Sequence, residues 1–214
     1  YKTKATIFMP VNAPLMKVQN TEALGAKIIL EGENYDEAYA IAKKFAAKSG
    51  QVFIHPYDDE DVIAGQGTTA LEILEQLPDV DAVICSMGGG GLIAGVGTVI
   101  KAFKPKTLII GAQANGARSL VDSITKKRVV TTGFADTFAD GIKVINPSAR
   151  MVHLLSKLVD HTGVATDEEI AAAVLMLLEK AKIVSEGAGA LSLALLEKMK
   201  AKLRGKKVVL LITG

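Results

Sequence analysis

Cysteine and aromatic residues are scarce in this 214-residue chain, which has one cysteine, no tryptophan and 5% aromatic residues. The single cysteine, Cys85, excludes an intrachain disulfide framework and a cysteine-rich zinc site. A lone thiol fits a reducing compartment, and the first residues lack the shape of a secretory signal peptide. The sequence therefore predicts a cytoplasmic protein.

An excess of charge of either sign is also missing. The net charge is +2, and acidic residues are interleaved with basic ones, so no basic stripe of the kind used to bind nucleic acid is present. No apolar run reaches membrane-spanning length. The 49% of hydrophobic residues is ordinary for a globular protein with a sizeable core. We expect neither nucleic acid nor membrane as a partner.

Short apolar runs alternate with helical patterns along the chain, which predicts parallel β-α-β units with helices on both faces of a sheet. Asn34 with Glu37, and Thr166 with Glu169, have the spacing of helix capping residues. A domain boundary is predicted between Gly50 and Pro56. The predicted strands are 5–9, 27–30, 52–54, 80–85, 107–112 and 207–212, and the predicted helices include 14–24, 92–100, 117–124 and one that follows Gly65–Gly67.

Four consecutive glycines, Gly88 to Gly91, follow an apolar strand pattern and lead directly into a helical pattern. Glycines at such a junction leave backbone N–H groups unobstructed at the positive end of the helix dipole, which describes an anion site. The alternative is a tight turn that only allows the helix and sheet to pack, which needs one or two glycines rather than four. We interpret the run as a phosphate cradle.

The glycine run also meets a loose form of the dinucleotide fingerprint, Gly89-x-Gly91-x-x-Ala94. That fingerprint predicts an acidic residue at the end of the next strand, where this sequence has Gln113. The missing acid argues against a nicotinamide cofactor, and the absence of Gly-Lys-Ser or Gly-Lys-Thr excludes a P-loop.

Two further segments leave alternatives open. Glu186 precedes a Gly-Ala-Gly-Ala turn whose small side chains leave room for a ligand ring, or it is an acid that complements a helix dipole. Asp140-Gly141 is either a simple turn or a loop whose backbone approaches a cofactor. The irregular segment 131–147 around it is a candidate functional loop.

Other candidates for catalysis are weak. Ser123-Ile124-Thr125-Lys126 matches a serine-nucleophile pattern without its companion motifs, and we interpret it as a solvated helix end. The three histidines, His55, His153 and His161, have no second ligand at metal spacing, so we predict no metal site among them.

Five segments match one known group of enzymes in order and spacing: His55-Pro56-Tyr57-Asp58-Asp59, Ala64-Gly65-Gln66-Gly67-Thr68, Gly88-Gly89-Gly90-Gly91-Leu92, Ala139-Asp140-Gly141-Ile142 and Glu186-Gly187-Ala188-Gly189-Ala190. They resemble the threonine dehydratase and serine racemase group of fold-type II pyridoxal-phosphate enzymes, and the resemblance covers essentially the whole chain. It implies a three-layer, parallel-sheet α/β fold like that of the tryptophan synthase β subunit. Residues 1–54 would be the remainder of a small α/β domain, and residues 55–214 a large cofactor-binding α/β domain truncated at both ends.

The resemblance also implies how the chain binds pyridoxal 5'-phosphate. The N–H groups of Gly88, Gly89, Gly90, Gly91 and Leu92 would hold the phosphate. Glu186 would line the ring and Gly141 would present backbone beside it. Thr213 falls where these enzymes place a hydroxyl or thiol against the pyridine nitrogen, and this neutral partner leaves the ring a weaker electron sink, which favours β-elimination.

The sequence departs from the group in three segments. The lysine that forms the Schiff base and the loop that holds the substrate carboxylate are both expected upstream of Tyr1, and the Gly-Gly-Asn that follows the final strand is absent. We therefore predict no catalytic residue in this chain. We expect the chain to be part of a longer protein.

The activity that the resemblance implies is β-elimination of L-threonine or L-serine to a 2-oxoacid and ammonia, by a cytoplasmic homodimer or homotetramer of amino-acid metabolism. Racemases of this group bind a divalent cation through an acidic residue, but the matching segment, Gln113 to Ser119, has no carboxylate. This favours the dehydratase over a serine racemase, and we predict no metal. The alternative from another class is a non-catalytic module that binds phosphate or an effector.

Overall fold

The computed structural model describes residues 3–214, and these divide into two compact units between Ile54 and His55. The first unit contains two parallel strands and two helices. The Asn34 side chain accepts a hydrogen bond from Glu37 N at 3.1 Å, as the capping pattern predicts, and Gly50 ends the second helix at a φ of 70°. The elements are β1 (Thr6–Met9), α1 (Leu15–Ala23), β2 (Lys27–Leu30) and α2 (Tyr35–Ser49).

The strand predicted at residues 52–54 is wrong. The backbone there is extended without strand pairing, and Val52 and Ile54 are 88% and 67% exposed. An apolar run forms a strand only when a neighbouring strand pairs with it, and residues 52–54 pair with no strand of the described unit, although the Phe53 ring packs against Tyr39.

The second unit is built on a four-stranded parallel sheet with the strand order β5-β4-β3-β6. Its strands are β3 (Ala82–Ser86), β4 (Leu108–Ala114), β5 (His161–Ala165) and β6 (Val208–Leu210). Its helices are α3 (Glu60–Gln76), α4 (Gly91–Phe103), α5 (Ser119–Lys126), α6 (Ala149–Leu158), α7 (Asp167–Met176) and α8 (Gly187–Met199), with a 3₁₀ turn at Asp140–Ile142 and a π turn at Leu177–Ala181.

Helices cover both faces of this sheet. Successive residues of β3 point to opposite faces, so Val83 and Cys85 pack with the helices α3 to α6, whereas Ala82 and Ile84 pack with α7 and α8. Every residue of β3 is buried. The predicted three-layer α/β fold is confirmed. Among residues 3–214, no helix is both long and apolar enough to span a membrane.

Some elements differ from the sequence-based prediction. Helix α3 begins at Glu60, before the two glycines that were expected to precede it, because the Asp59 carboxylate accepts hydrogen bonds from Asp61 N and Val62 N. The prediction also missed α6 and β5. Strand β5 is an edge strand that begins with an exposed histidine, so its sequence lacks the continuous apolar character of the other strands.

Candidate functional site

The glycine run follows β3 on the side of the sheet where the carboxyl ends of the parallel strands lie, which we call the sheet edge. β3 and β6 are adjacent and parallel, so the glycine loop and the residues after β6 meet at one edge. Gly90 has a φ of 97°, a backbone conformation that favours glycine, and α4 begins at the next residue. Gly89, Gly90 and Gly91 are buried. Loops at this edge build the binding sites of open α/β sheets.

The first turn of α4 presents backbone N–H groups that have no intrahelical acceptor. Within the described part of the chain, no side chain caps this helix end. Buried N–H groups without partners are costly, and they lie at the positive end of the helix dipole. The residues present therefore fit an anionic group such as a phosphate.

Tyr57 packs directly against the glycine run. A Cβ atom built on Gly89 would lie 2.3 Å from the Tyr57 ring, and one built on Gly91 would lie 2.8 Å from the Tyr57 carbonyl oxygen. The His55 ring supports this arrangement, because its Nδ1 accepts hydrogen bonds from Tyr57 N at 3.3 Å and Asp58 N at 2.9 Å. Two of the four glycines are thus needed for packing as well as for an open backbone. Sequence reasoning did not assign a role to Tyr57, because the contact joins distant segments.

Gly141 lies beside both the glycine run and Glu186. A Cβ atom built on Gly88 would lie 3.0 Å from the Gly141 carbonyl oxygen, and one built on Gly141 would lie 2.7 Å from Glu186 Oε1. A methyl group at Gly141 would require the exposed Glu186 carboxylate to move, and it would lie 3.1 Å from Ala188 Cβ. The structure thus brings together three segments that are far apart in the sequence.

Glu186 is the N-cap residue of α8, but its side chain makes no capping hydrogen bond. Its carboxylate is exposed and lies beside Gly141. The Glu186 N–H donates to the Gly214 carbonyl oxygen at 2.9 Å, which brings the segment after β6 to the same place. Thr213, in that segment, is exposed. All the predicted site segments therefore meet at one edge of the sheet, although their roles toward a cofactor stay predictions.

The other residues considered for catalysis or metal binding do not form a second site. The segment Ser123-Ile124-Thr125-Lys126 ends helix α5 with Thr125 and Lys126 exposed, as predicted, but Ser123 itself is not solvated. It is fully buried, and its Oγ donates to Ser119 O and accepts from Val130 N. Burial raises the pKa of the Cys85 thiol to about 12, so the thiolate that a nucleophile needs does not form near neutral pH. In the structure of residues 3–214, no group of three or more His, Cys, Asp or Glu side chains could hold a metal ion.

Gln113 supports the start of the glycine run. It is fully buried, its Nε2 donates to Met87 O at 3.0 Å, and its Oε1 accepts from Val121 N at 2.8 Å in the first turn of α5. The residue that argued against a dinucleotide thus fixes the backbone immediately before Gly88. A carboxylate could not donate to Met87 O.

We expect Gln113→Leu to destabilise the protein by about 2–5 kcal/mol, because it removes a partner from two buried backbone groups. Urea unfolding of the full-length protein measures the loss, and Gln76→Leu, at an exposed position near the end of α3, is the matched control. Equal stability of the two variants would show that neither hydrogen bond matters.

Comparison with known proteins identifies relatives along the entire chain. The chain is 47% identical over 211 residues to an L-threonine ammonia-lyase of Thermotoga maritima, a match that covers 98% of this chain and 52% of the relative. The chain thus spans about half the length of this relative and of an L-threonine ammonia-lyase of Geobacter sulfurreducens that it also matches.

Solved structures are similar as well. The processed form of threonine deaminase isoform 2 from Solanum lycopersicum has a TM-score of 0.89 at 34% identity, covering 99% of this chain and 62% of that one. Maize serine racemase has a TM-score of 0.92 at 32% identity, covering 99% and 65%. Residues 1–214 match the family described as pyridoxal-phosphate dependent enzyme. This chain therefore belongs to the pyridoxal-phosphate dependent enzyme family.

Proposed function

We propose that the protein to which this chain belongs is an ammonia-lyase that converts L-threonine to 2-oxobutanoate and ammonia, and L-serine to pyruvate and ammonia. The observation that carries the proposal is the meeting of the glycine run, at the uncapped N-terminus of α4, with Gly141 and Glu186 at one sheet edge. The identity of 47% to an L-threonine ammonia-lyase supports it.

Each segment of this edge has a distinct role in the proposal. The N–H groups of Gly88 to Gly91 and Leu92 bind the cofactor phosphate at the α4 N-terminus. Glu186 and the Gly141 backbone border the ring, and the Thr213 hydroxyl is the neutral partner of its nitrogen. Pyridoxal phosphate, when bound, supplies an electron sink for the amino acid's α-carbon.

The domain roles and the assembly follow from the same proposal. Residues 55–214 form the large cofactor-binding domain and residues 1–54 belong to the small domain. We place the protein in the cytoplasm, as a homodimer or homotetramer. Analytical ultracentrifugation of the full-length protein measures the oligomeric state.

The direct test is to incubate the full-length, cofactor-loaded protein with L-threonine and with L-serine, and to measure the 2-oxoacid as its hydrazone. We expect 2-oxobutanoate and pyruvate, each formed in equal amount with ammonia. Absence of 2-oxoacid from both amino acids, in a preparation that retains the cofactor absorbance, would refute the proposal.

Serine racemase is the second candidate, and the similarity to maize serine racemase favours it. Against it, the Gln113 side chain is neutral and already hydrogen-bonded to Met87 O and Val121 N, so it is unsuited as a ligand of a hard cation. Chiral chromatography of L-serine reactions with and without magnesium separates the candidates, because a magnesium-dependent yield of D-serine is expected only for the racemase.

A further inference from the structure

A carboxylate from α7 holds the loop that precedes Gly141. Thr137 Oγ1 donates a hydrogen bond to Asp167 Oδ1 at 2.5 Å, and Phe138 N donates to Asp167 Oδ2 at 3.1 Å. Each carboxylate oxygen thus accepts from a different group of the loop. The Thr137 side chain is buried, with an exposed fraction of 4%. We call this pair, Thr137 and Asp167, the loop clamp.

Asp167 is available for the loop because other residues cap its helix. Thr166 accepts a hydrogen bond from Glu169 N, and the Glu169 carboxylate accepts one from Thr166 N at 2.8 Å, forming a complete capping box. An acidic residue in a first helical turn ordinarily interacts with the helix N–H groups and dipole. Here the carboxylate of Asp167 instead binds another segment of the chain.

The clamp is connected to Gly141 by a short series of hydrogen bonds. Thr137 Oγ1 also accepts from Ala139 N at 3.1 Å, and Ile142 N donates to Ala139 O at 3.2 Å to close the 3₁₀ turn that contains Gly141. On the far side of this turn, Ser119 Oγ donates to Val144 O at 2.6 Å. The Gly141 backbone is therefore fixed from both sides.

We propose that Asp167 and Thr137 are positioning residues for the cofactor site: they hold Gly141 against Glu186 and the glycine run, and so set the space beside the cofactor. The inference rests on the proposed function in that it takes this edge of the sheet as the cofactor site. The contacts that Cβ atoms at Gly88 and Gly141 would make support this proposal, because they show that Gly141 lies beside both Gly88 and Glu186. A shift of the Gly141 backbone would therefore change its spacing to both residues. Neither clamp residue is proposed to touch the cofactor.

Three variants of the full-length, cofactor-loaded protein test the clamp. Thr137→Val removes the hydroxyl at nearly constant volume, Thr137→Ser keeps it, and Asp167→Asn turns one acceptor into a donor that faces the loop's own donors. Thr125→Val is the matched control, because the Thr125 hydroxyl donates to Val121 O within α5.

The measurements are the visible circular dichroism of the bound cofactor, the Kd for pyridoxal phosphate, kcat for threonine and the Tm. We expect Thr137→Val and Asp167→Asn to change the circular dichroism and to raise the Kd about 10- to 100-fold, as for loss of a hydrogen bond to a charged group. Thr137→Ser should stay within about threefold of the wild type, and Thr125→Val should match it.

Unchanged circular dichroism and Kd in Thr137→Val and Asp167→Asn would overturn the inference even if the Tm falls, because the pair would then have a structural role alone. Failure of Thr137→Ser to preserve both properties would overturn it too. If Thr137→Val does not fold, Asp167→Asn compared with Thr137→Ser decides. A wild-type protein that is inactive on threonine would refute the proposed function. Because cofactor binding needs no turnover, the circular dichroism and Kd of the variants would still decide this inference.

Discussion

Gly91→Ala is expected to weaken the binding of pyridoxal phosphate to the full-length protein by about 100-fold or more, the effect of misplacing a binding group by roughly 1 Å. A Cβ atom at Gly91 would lie 2.8 Å from the Tyr57 carbonyl oxygen and 2.9 Å from its Cα and Cβ atoms. Because most of these atoms are backbone, they cannot swing aside, and the first turn of α4 must move. Titration of the apoprotein, followed by cofactor absorbance, measures the change.

Two controls separate this effect from a general cost of replacing glycine. Gly65→Ala, in α3, places its Cβ atom in open space and should bind the cofactor normally. Adding Tyr57→Ala should not rescue Gly91→Ala, because the obstructing atoms remain. The same addition should relieve the clash in Gly89→Ala, where a Cβ atom meets the Tyr57 ring. Wild-type affinity in Gly91→Ala would show that the glycine run does not form the phosphate site.

Gly95→Ala should cost at least about 3 kcal/mol in the free energy of unfolding, the upper range for an overpacked core. A Cβ atom at Gly95, in α4, would lie 2.3 Å from Ile63 O and 2.6 Å from Gly67 N, both in α3. The two helix backbones touch at this point, so a methyl group forces them apart. The midpoint of urea unfolding of the full-length protein measures the loss.

Gly97→Ala, two residues further along α4, is the matched control. Its Cβ atom would lie 3.3 Å from the nearest heavy atom, the Cβ of Leu158, and alanine is the better helix former. We expect its stability to stay within about 1 kcal/mol of the wild type. A similar loss in both variants would mean that the contact between α3 and α4 is not what restricts Gly95.

Local chemistry carried most of the successful fold predictions. The capping pairs of α2 and α7 are confirmed because a cap is formed by residues three apart, which a sequence displays directly. The buried strand β3 was predicted correctly because its continuous apolar run is also visible in the local sequence. The failures at residues 52–54 and at β5 have a different cause, since each depends on what a distant segment places beside it.

At the candidate site, too, local features could be predicted from the sequence and contacts between distant segments could not. Sequence patterns pointed to Gly141 and Glu186, but their adjacency arises only when the loop and the α8 N-terminus fold onto the same sheet edge. Tyr57 and the loop clamp left no local signal, because their partners are distant in the sequence. The resemblance to known enzymes implied the cofactor, whereas the structure was needed to find which residues lie next to one another at the candidate site.

The alternation of β3 side chains between two buried cores also limits slippage of that strand. A shift by one residue would exchange Val83 and Ile84 between two cores whose shapes differ, and both cores would be mispacked. The packing of Val83 and Ile84 therefore helps to fix the position along the strand at which β3 ends and the glycine run begins. We therefore expect substitutions inside β3 to change the phosphate binding that we propose for the glycine run, although they lie several residues before it.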